Sequence, residues 1–267
     1  MDTLAVLSLI QDVADRVITP RFRDLTAGQV AEKNPGDLVT VADHEAEVLL
    51  TQALRAAYPD AVMLGEEAHA SDPGLLAAFR RADHAFTIDP VDGTKNFVHG
   101  SPDHAVMVAE VRAGSTVRAW VWQPQHEAAY VAERGAGVRR NGLPLTREPA
   151  GRVVADLRVR TSRRAWLGRA PGGLGPLELT WVCCGVDYPK VVEGAADAVL
   201  YGGTHPWDHA PGGLLLTEAG GFLGTFDGAA YAPQVPARGL VAAADEDTYR
   251  SVLEALADLD DAPSLRR

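Results

Sequence analysis

Cysteine is almost missing from this chain: Cys183 and Cys184 are the only two in 267 residues, and they are adjacent. Neighbouring residues are poorly placed for an ordinary structural disulfide and offer no metal-ligand spacing. A disulfide framework and a thiolate zinc site are therefore not expected, and a reducing, cytoplasmic setting fits. Long apolar runs are missing too: no stretch of about 18 apolar residues occurs, so no membrane-spanning helix is expected. The opening MDTLAVLSLIQDVAD has an apolar patch, but Asp2 stands where a secretory signal carries basic residues, and no small-residue cleavage site follows. Positive charge is also short, with 25 Lys and Arg against 36 Asp and Glu, a formal net charge of −11. Such a surface repels nucleic acid and anionic membranes, so neither is expected as a partner, and an anionic substrate requires an added cation. Eight histidines are present without His-Glu-x-x-His or another zinc spacing, and no Gly-x-Ser-x-Gly elbow of a serine hydrolase appears. Internal repeats and low-complexity tracts are absent.

What the chain does have is apolar residues, 46% of the total, enough for a substantial core in one large domain or two closely packed halves. Leu4, Leu7, Ile10, Ala14 and Val17 recur at helical spacing and predict a first amphipathic helix. Asn34-Pro35-Gly36 signals a turn. From Asp43, the positions Ala46, Leu49, Leu50, Ala53, Leu54, Ala57 and Tyr58 predict a second helix, ended by Pro59. A short strand AVML leads to Gly65-Glu66-Glu67, and another, HAFTI, leads to Asp89. The runs HAVMVAEV, TVRAWVWQP and AAYVAERG read as successive strands, with Trp120 and Trp122 as core or subunit interface. A boundary is expected near residue 145, giving halves 1–145 and 146–267. The second contains a loop-like GRAPGGLGP, a helix in PWDHAPGGLLLTEAGG that Asp208 could cap with Pro211 in its first turn, a strand GLVAAA, and a helix from about Asp245 to Leu259.

Three segments deliver carboxylates to element ends: Glu66 and Glu67, Asp89 and Asp92, and Asp208. In Asp89-Pro90-Val91-Asp92, Pro90 fixes its own φ and biases Asp89 to an extended conformation, so both carboxylates and the Val91 carbonyl can converge on one point. All-oxygen donors of this kind suit hard divalent cations such as magnesium. Gly93 permits a sharp turn and Thr94 starts a short helix, whose free N–H groups would make an anion site beside the cation site. Each segment alone reads more simply as a solvated turn, a surface pair or a helix cap; their joint occurrence favours a site.

GDLVTVAD, GEE, DPVDGTKNF and WDHAPGGLLLTEAGG, in this order and spacing, resemble the inositol monophosphatase family of magnesium-dependent, lithium-sensitive phosphatases, over nearly the whole chain. The resemblance implies an α/β fold, a five-layered αβαβα sandwich, usually dimeric, with the active site between the halves and two to three Mg2+ per site. It implies Glu66, Asp89 and the Val91 carbonyl as ligands of a first metal, Asp89, Asp92 and Asp208 as ligands of a second, and Glu66 on a weaker third ion through water. Gly93 and Thr94 match the family's phosphate-binding backbone, Thr94 with Asp43 its water-orienting pair, and Lys33 a lysine facing the site. The implied reaction is direct attack of an activated water, oriented by Thr94 and Glu66, on a small phosphate monoester, with no covalent phosphoenzyme.

Substrate choice is where the chain departs from the family. Tyr201 stands seven residues before Asp208, where inositol-specific members carry a glutamate that contacts ring hydroxyls, and Cys183 and Cys184 stand where glycine, serine or alanine are common. Inositol phosphate or a similar sugar phosphate ranks first as substrate and histidinol phosphate next; 3′-phosphoadenosine 5′-phosphate and fructose 1,6-bisphosphate, which members of the wider family hydrolyse, follow. His209, beside Asp208, is a candidate substrate contact. Arg163 and Arg164 could meet an anionic substrate, although a solvated loop is the simpler reading. The competing non-enzymatic reading is a metal-stabilised binding or regulatory protein, against which Thr94 and Asp43 count.

Overall fold

The structure is a computed structural model that describes residues 1–259. Helix α1 (Thr3–Val13) is capped by Asp2, whose carboxylate accepts the Ala5 N–H at 2.8 Å, and the chain stays helical through a π turn at Ala14–Ile18. The buried face is Val6, Ile10, Val13, Ala14 and Val17. Leu4, expected on it, is 71% exposed. Two residues of helix turn the side-chain direction through about 200°, which puts Leu4 on the far side from Val6.

A hairpin of β1 (Val30–Asn34) and β2 (Asp37–Thr40) turns at the expected Asn34-Pro35-Gly36 and leads into α2 (Val41–Ala57). This helix begins two residues before the expected Asp43. The Thr40 hydroxyl accepts the Ala42 N–H while the Asp43 carboxylate accepts the Thr40 N–H at 2.8 Å, a reciprocal capping box that fixes the start at Val41. Then come β3 (Val62–Gly65), the short helices α3 (Glu66–Ser71) and α4 (Gly74–Phe79), β4 (His84–Asp92) and α5 (Thr94–Val98). Strand β4 runs four residues beyond HAFTI, through Asp89 to Asp92. Its register against the next strand shifts between those two aspartates, and that irregularity accommodates Pro90 inside a sheet.

Strands β5 (Ala105–Arg112), β6 (Ser115–Gln123), β7 (Ala128–Glu133), β8 (Gly137–Arg140) and β9 (Leu143–Leu145) continue from β4 as an antiparallel meander. With β3 parallel to β4, they make a seven-stranded sheet in sequence order. The remaining chain supplies β10 (Val159–Thr161), β11 (Glu178–Leu179), α6 (Cys184–Val192), β12 (Ala198–Tyr201), α7 (Pro206–Glu218), β13 (Phe222–Thr225), β14 (Leu240–Ala243) and α8 (Glu246–Leu256). Its sheet has the order β11-β10-β12-β14-β13.

Strand parity separates the layers. Side chains alternate between faces, so Val106, Val108 and Trp120 pack on α1 and α2, whereas Ala105, Met107 and Val121 pack on α6 and α7. The opposite side of α6 and α7 meets Val199, Tyr201, Leu240 and Ala242, and the other face of that second sheet, Ala198, Leu200, Val241 and Ala243, packs on α8. Helices, sheet, helices, sheet, helix: the αβαβα sandwich is present. Trp120 is fully buried and donates its indole N–H to the Thr3 carbonyl at 2.9 Å. Among the described residues no helix is long and apolar enough to cross a membrane.

Candidate active site

Two buried acids elsewhere in the molecule, Glu110 and Asp197, are matched by arginines. Glu110 contacts Arg118, Arg112 and His84; burial alone would raise its pKa, but the arginines outweigh this and hold it below the usual range. Asp197 is treated likewise by Arg158, Arg147 and Arg152. At the ends of β4 and α7 the pattern reverses. One carboxylate oxygen from each of Asp89, Asp92 and Asp208 lies within 4.8 Å of the others, and no arginine joins them among the ion pairs of the described residues. The Oδ1 of Asp89 is buried with no hydrogen-bond partner. Burial and then the neighbouring Glu66, Asp92 and Asp208 lift Asp89 well above the ordinary carboxylate range; burial and then Asp92 and Glu66 do the same to Asp208. Three mutually repelling oxygens with an orphaned lone pair fit a hard divalent cation, and the all-oxygen donor set suits magnesium.

Each side chain is brought in by a separate device. Asp92 is gripped from across the molecule by the start of α6, through the Gly185 N–H at 2.5 Å and the Cys183 thiol at 3.0 Å from Oδ2. These donors pull its pKa down against the larger effect of burial, and it is pushed up to about 6. Asp208 is the third residue of α7 and not its cap: Pro206 occupies the first helical position, with its φ preset, and His205 is the capping residue. Pro211, expected in the first turn, therefore lies deeper in the helix. Glu66 begins α3 and stands outside the close triad, its Oε1 2.6 Å from Lys33 Nζ, which also reaches Glu67 at 2.9 Å. Burial would lower the Lys33 pKa, but the two glutamates more than offset this and raise it.

Gly93 takes φ +79, and a Cβ there would lie 3.0 Å from both the Asp103 carbonyl and the Cys183 Cβ, so glycine is required between β4 and α5. The Thr94 hydroxyl follows, 3.1 Å from Asp43 Oδ1 and 3.0 Å from the Val91 carbonyl. Asp43 is pushed up to about 7, chiefly by burial.

Two cavities open on the cluster. One, of about 520 Å³, is lined by Lys33, Glu66, His69, His205, Trp207 and Asp208. The other, about 190 Å³, is lined by Asp92, Ser162, Cys183, Cys184, Asp187 and Tyr201, with Arg164 also at its wall. Tyr201 is buried, stacked on Tyr188 at 5.4 Å. His209, considered from sequence as a substrate contact, is buried with both nitrogens engaged, Nδ1 with the Tyr188 hydroxyl and Nε2 with the Gly203 carbonyl, each at 3.0 Å. Burial lowers its pKa to about 3, so at neutral pH it is an uncharged packing residue, donating from Nε2 and accepting at Nδ1. Arg163 lies over the Trp166 ring at 4.5 Å.

Some site residues went unread in the sequence. The Thr40-x-x-Asp43 signature was visible there. Glu47 was visible as a charge within the apolar stripe Ala46, Leu50, Leu54 of α2. The Cys183 and Gly185 contacts to Asp92 span some 90 positions and leave no local mark.

The inositol monophosphatase family model matches residues 2–260. The chain belongs to that family. It is 33% identical over 254 residues to an inositol-1-monophosphatase of Mesorhizobium japonicum, covering 91% of each chain. It is 32% identical over 238 residues to a Pseudomonas aeruginosa protein named Nus factor SuhB, covering 80% of this chain and 82% of that one. An IMPase of Thermotoga maritima superposes with a TM-score of 0.77 at 23% identity, covering 95% of this chain and 97% of its own. Membership of this metal-dependent family supports phosphatase activity on a phosphate monoester, and the acidic cluster is consistent with it.

Proposed function

We propose that the chain is a magnesium-dependent phosphatase of small phosphate monoesters, with an inositol phosphate or similar polyol phosphate as its first-ranked substrate. The observation that carries this reading is the arginine-free group of Asp89, Asp92 and Asp208 beside Gly93 and Thr94. Asp89, Asp92, Asp208, Glu66 and the Val91 carbonyl would hold two to three Mg2+. The bound cations supply Lewis acidity that lowers the pKa of water and offsets phosphate charge. The protein's own task is then to orient and exclude. Gly93 and Thr94 offer backbone N–H groups to the phosphate. The Thr94 hydroxyl, held by Asp43 or the Val91 carbonyl, keeps a lone pair free to accept from the attacking water and fix its line of approach, with Glu66 as the second orienting group. Lys33 balances charge at Glu66. The leaving alcohol faces the small cavity bounded by Asp92, Cys184, Asp187 and Tyr201, where Tyr201 in place of a glutamate keeps histidinol phosphate, 3′-phosphoadenosine 5′-phosphate and fructose 1,6-bisphosphate in contention.

Thr94→Val keeps the shape and removes the hydroxyl, so kcat is expected to fall on the order of tenfold to a hundredfold with KM little changed, because only water orientation is lost. Steady-state phosphate release measures it; an unchanged kcat removes Thr94 from the mechanism. The functional reading as a whole is tested by phosphate release from a panel of these esters in magnesium, in EDTA and with added lithium. Release in magnesium, abolished by EDTA and reduced by lithium, is expected. The SuhB name of one relative favours a second reading, a non-catalytic partner-binding protein, which absence of release from every ester would support. A homodimer belongs to the first reading and is checked by light scattering.

A further inference from the structure

Glu47 lies one turn beyond Asp43 on the same buried face of α2. Its carboxylate crosses to the start of α3, where Oε2 accepts the Glu67 N–H and Oε1 the Ala68 N–H, both at 2.8 Å. The fit has no slack: a Cβ on Gly65 would lie 2.3 Å from Glu47 Cδ and 2.4 and 2.5 Å from its two oxygens. Glycine precedes Glu66 because the Glu47 carboxylate fills the place of a side chain. Meanwhile Asp43, four residues earlier and about 6 Å along the axis, holds Thr94 on α5 at 3.1 Å.

We propose that Glu47 is a positioning residue for the cation site: it fixes the backbone of Glu66 relative to Thr94, with α2 as the rigid spacer between them. The inference rests on the reading of Glu66 as a cation ligand. Lys33 cannot take this role, since it touches only the tips of the Glu66 and Glu67 side chains, whereas Glu47 binds the main chain that carries them. Packing on α3 is slight by comparison: it is a six-residue helix with Glu67 as its one buried residue, and its His69 ring rests against Trp207 at 5.2 Å.

The test titrates magnesium by calorimetry into the metal-stripped full chain and follows Mn2+ binding by the loss of its free electron-spin signal. In Glu47→Gln an amide N–H faces a backbone N–H, so the start of α3 must shift. Magnesium Kd is expected to weaken about tenfold or more, and turnover at saturating magnesium is expected to fall as well, because Glu66 also orients the attacking water. Gly65→Ala, which displaces the same carboxylate without removing its charge, is expected to reproduce the loss and serves if Glu47→Gln does not fold. In a Glu66→Gln background the added effect of Glu47→Gln is expected to shrink to about twofold or less, because both act on one ligand. Metal affinity within about twofold of the parent in the folded variants, whatever their melting temperature, overturns the proposal, as does an undiminished loss in the Glu66→Gln background. A parent chain that binds no magnesium at all overturns the cation-site reading itself, and is seen before any substitution is made.

Discussion

Asp89→Asn is expected to lower kcat/KM for phosphate release by on the order of 10³-fold, about 4 kcal/mol of transition-state stabilisation, while raising the melting temperature of the metal-free chain. The two halves of this result come from one cause. Asp89 is the most central of the acids, surrounded by Glu66, Asp92, Asp208 and Asp43, buried, and with one oxygen lacking any partner. In the absence of a cation its charge is a liability, because it is desolvated and repelled from several sides. Asparagine keeps the volume and removes that repulsion, yet it provides a neutral donor where a shared anionic oxygen is needed. Function and stability then move in opposite directions, as they do where a site stores unfavourable electrostatics for its task. A structural aspartate would behave differently: its loss would lower both. Activity assays in magnesium and thermal denaturation in EDTA give the two readings, and either near-normal turnover or a lower metal-free melting temperature would remove Asp89 from the centre of the site.

The same contrast explains what sequence could and could not reveal. The strands HAVMVAEV and TVRAWVWQP were readable because burial on both faces of β5, and of much of β6, imposes a near-continuous apolar run between turn residues, and the long acidic motifs were readable because their residues are contiguous. Convergence of Asp89 with Asp208 could be inferred only through resemblance, since 119 positions separate them. Local propensities also misplaced details that tertiary structure decides. Proline inside β4 is tolerated because the register slips there, and Asp208 lies within the first turn of α7 and not at its cap because Pro206, not the acid, starts the helix. His209 sits next to a site residue in sequence, but a helix turns adjacent side chains about 100° apart, which sends it into the core against Tyr188.

Acidification from pH 8 to about 6.5 is expected to stabilise the metal-free chain, raising its melting temperature by on the order of 5 °C or more. The sign follows from the direction of the shifts. Asp43 and Glu47 are pushed up to about 7, mainly by burial, and Asp89 and Asp208 are lifted well above their ordinary range. Each of these acids binds a proton more tightly folded than unfolded, so its neutral form is fully accommodated below the unfolded pKa and the associated stability is lost as pH rises through the folded value. Across pH 6.5 to 8 the unfolded carboxyls are already ionised, so every proton regained on acidification favours the native state. The window must stop near 6.5, because burial lowers His104 to about 4 and His209 to about 3, and these histidines, neutral in the fold, begin to oppose it once their unfolded counterparts take up protons. Magnesium is expected to flatten the dependence, since a bound divalent cation compensates the same charge that the protons do and competes with them for it. Thermal scans in EDTA and in millimolar magnesium across this range separate the cases. A metal-free chain that instead grows more stable between pH 6.5 and 8 would mean that these carboxylates are solvated or paired in solution, and the electrostatic basis of the cation site would fail with it.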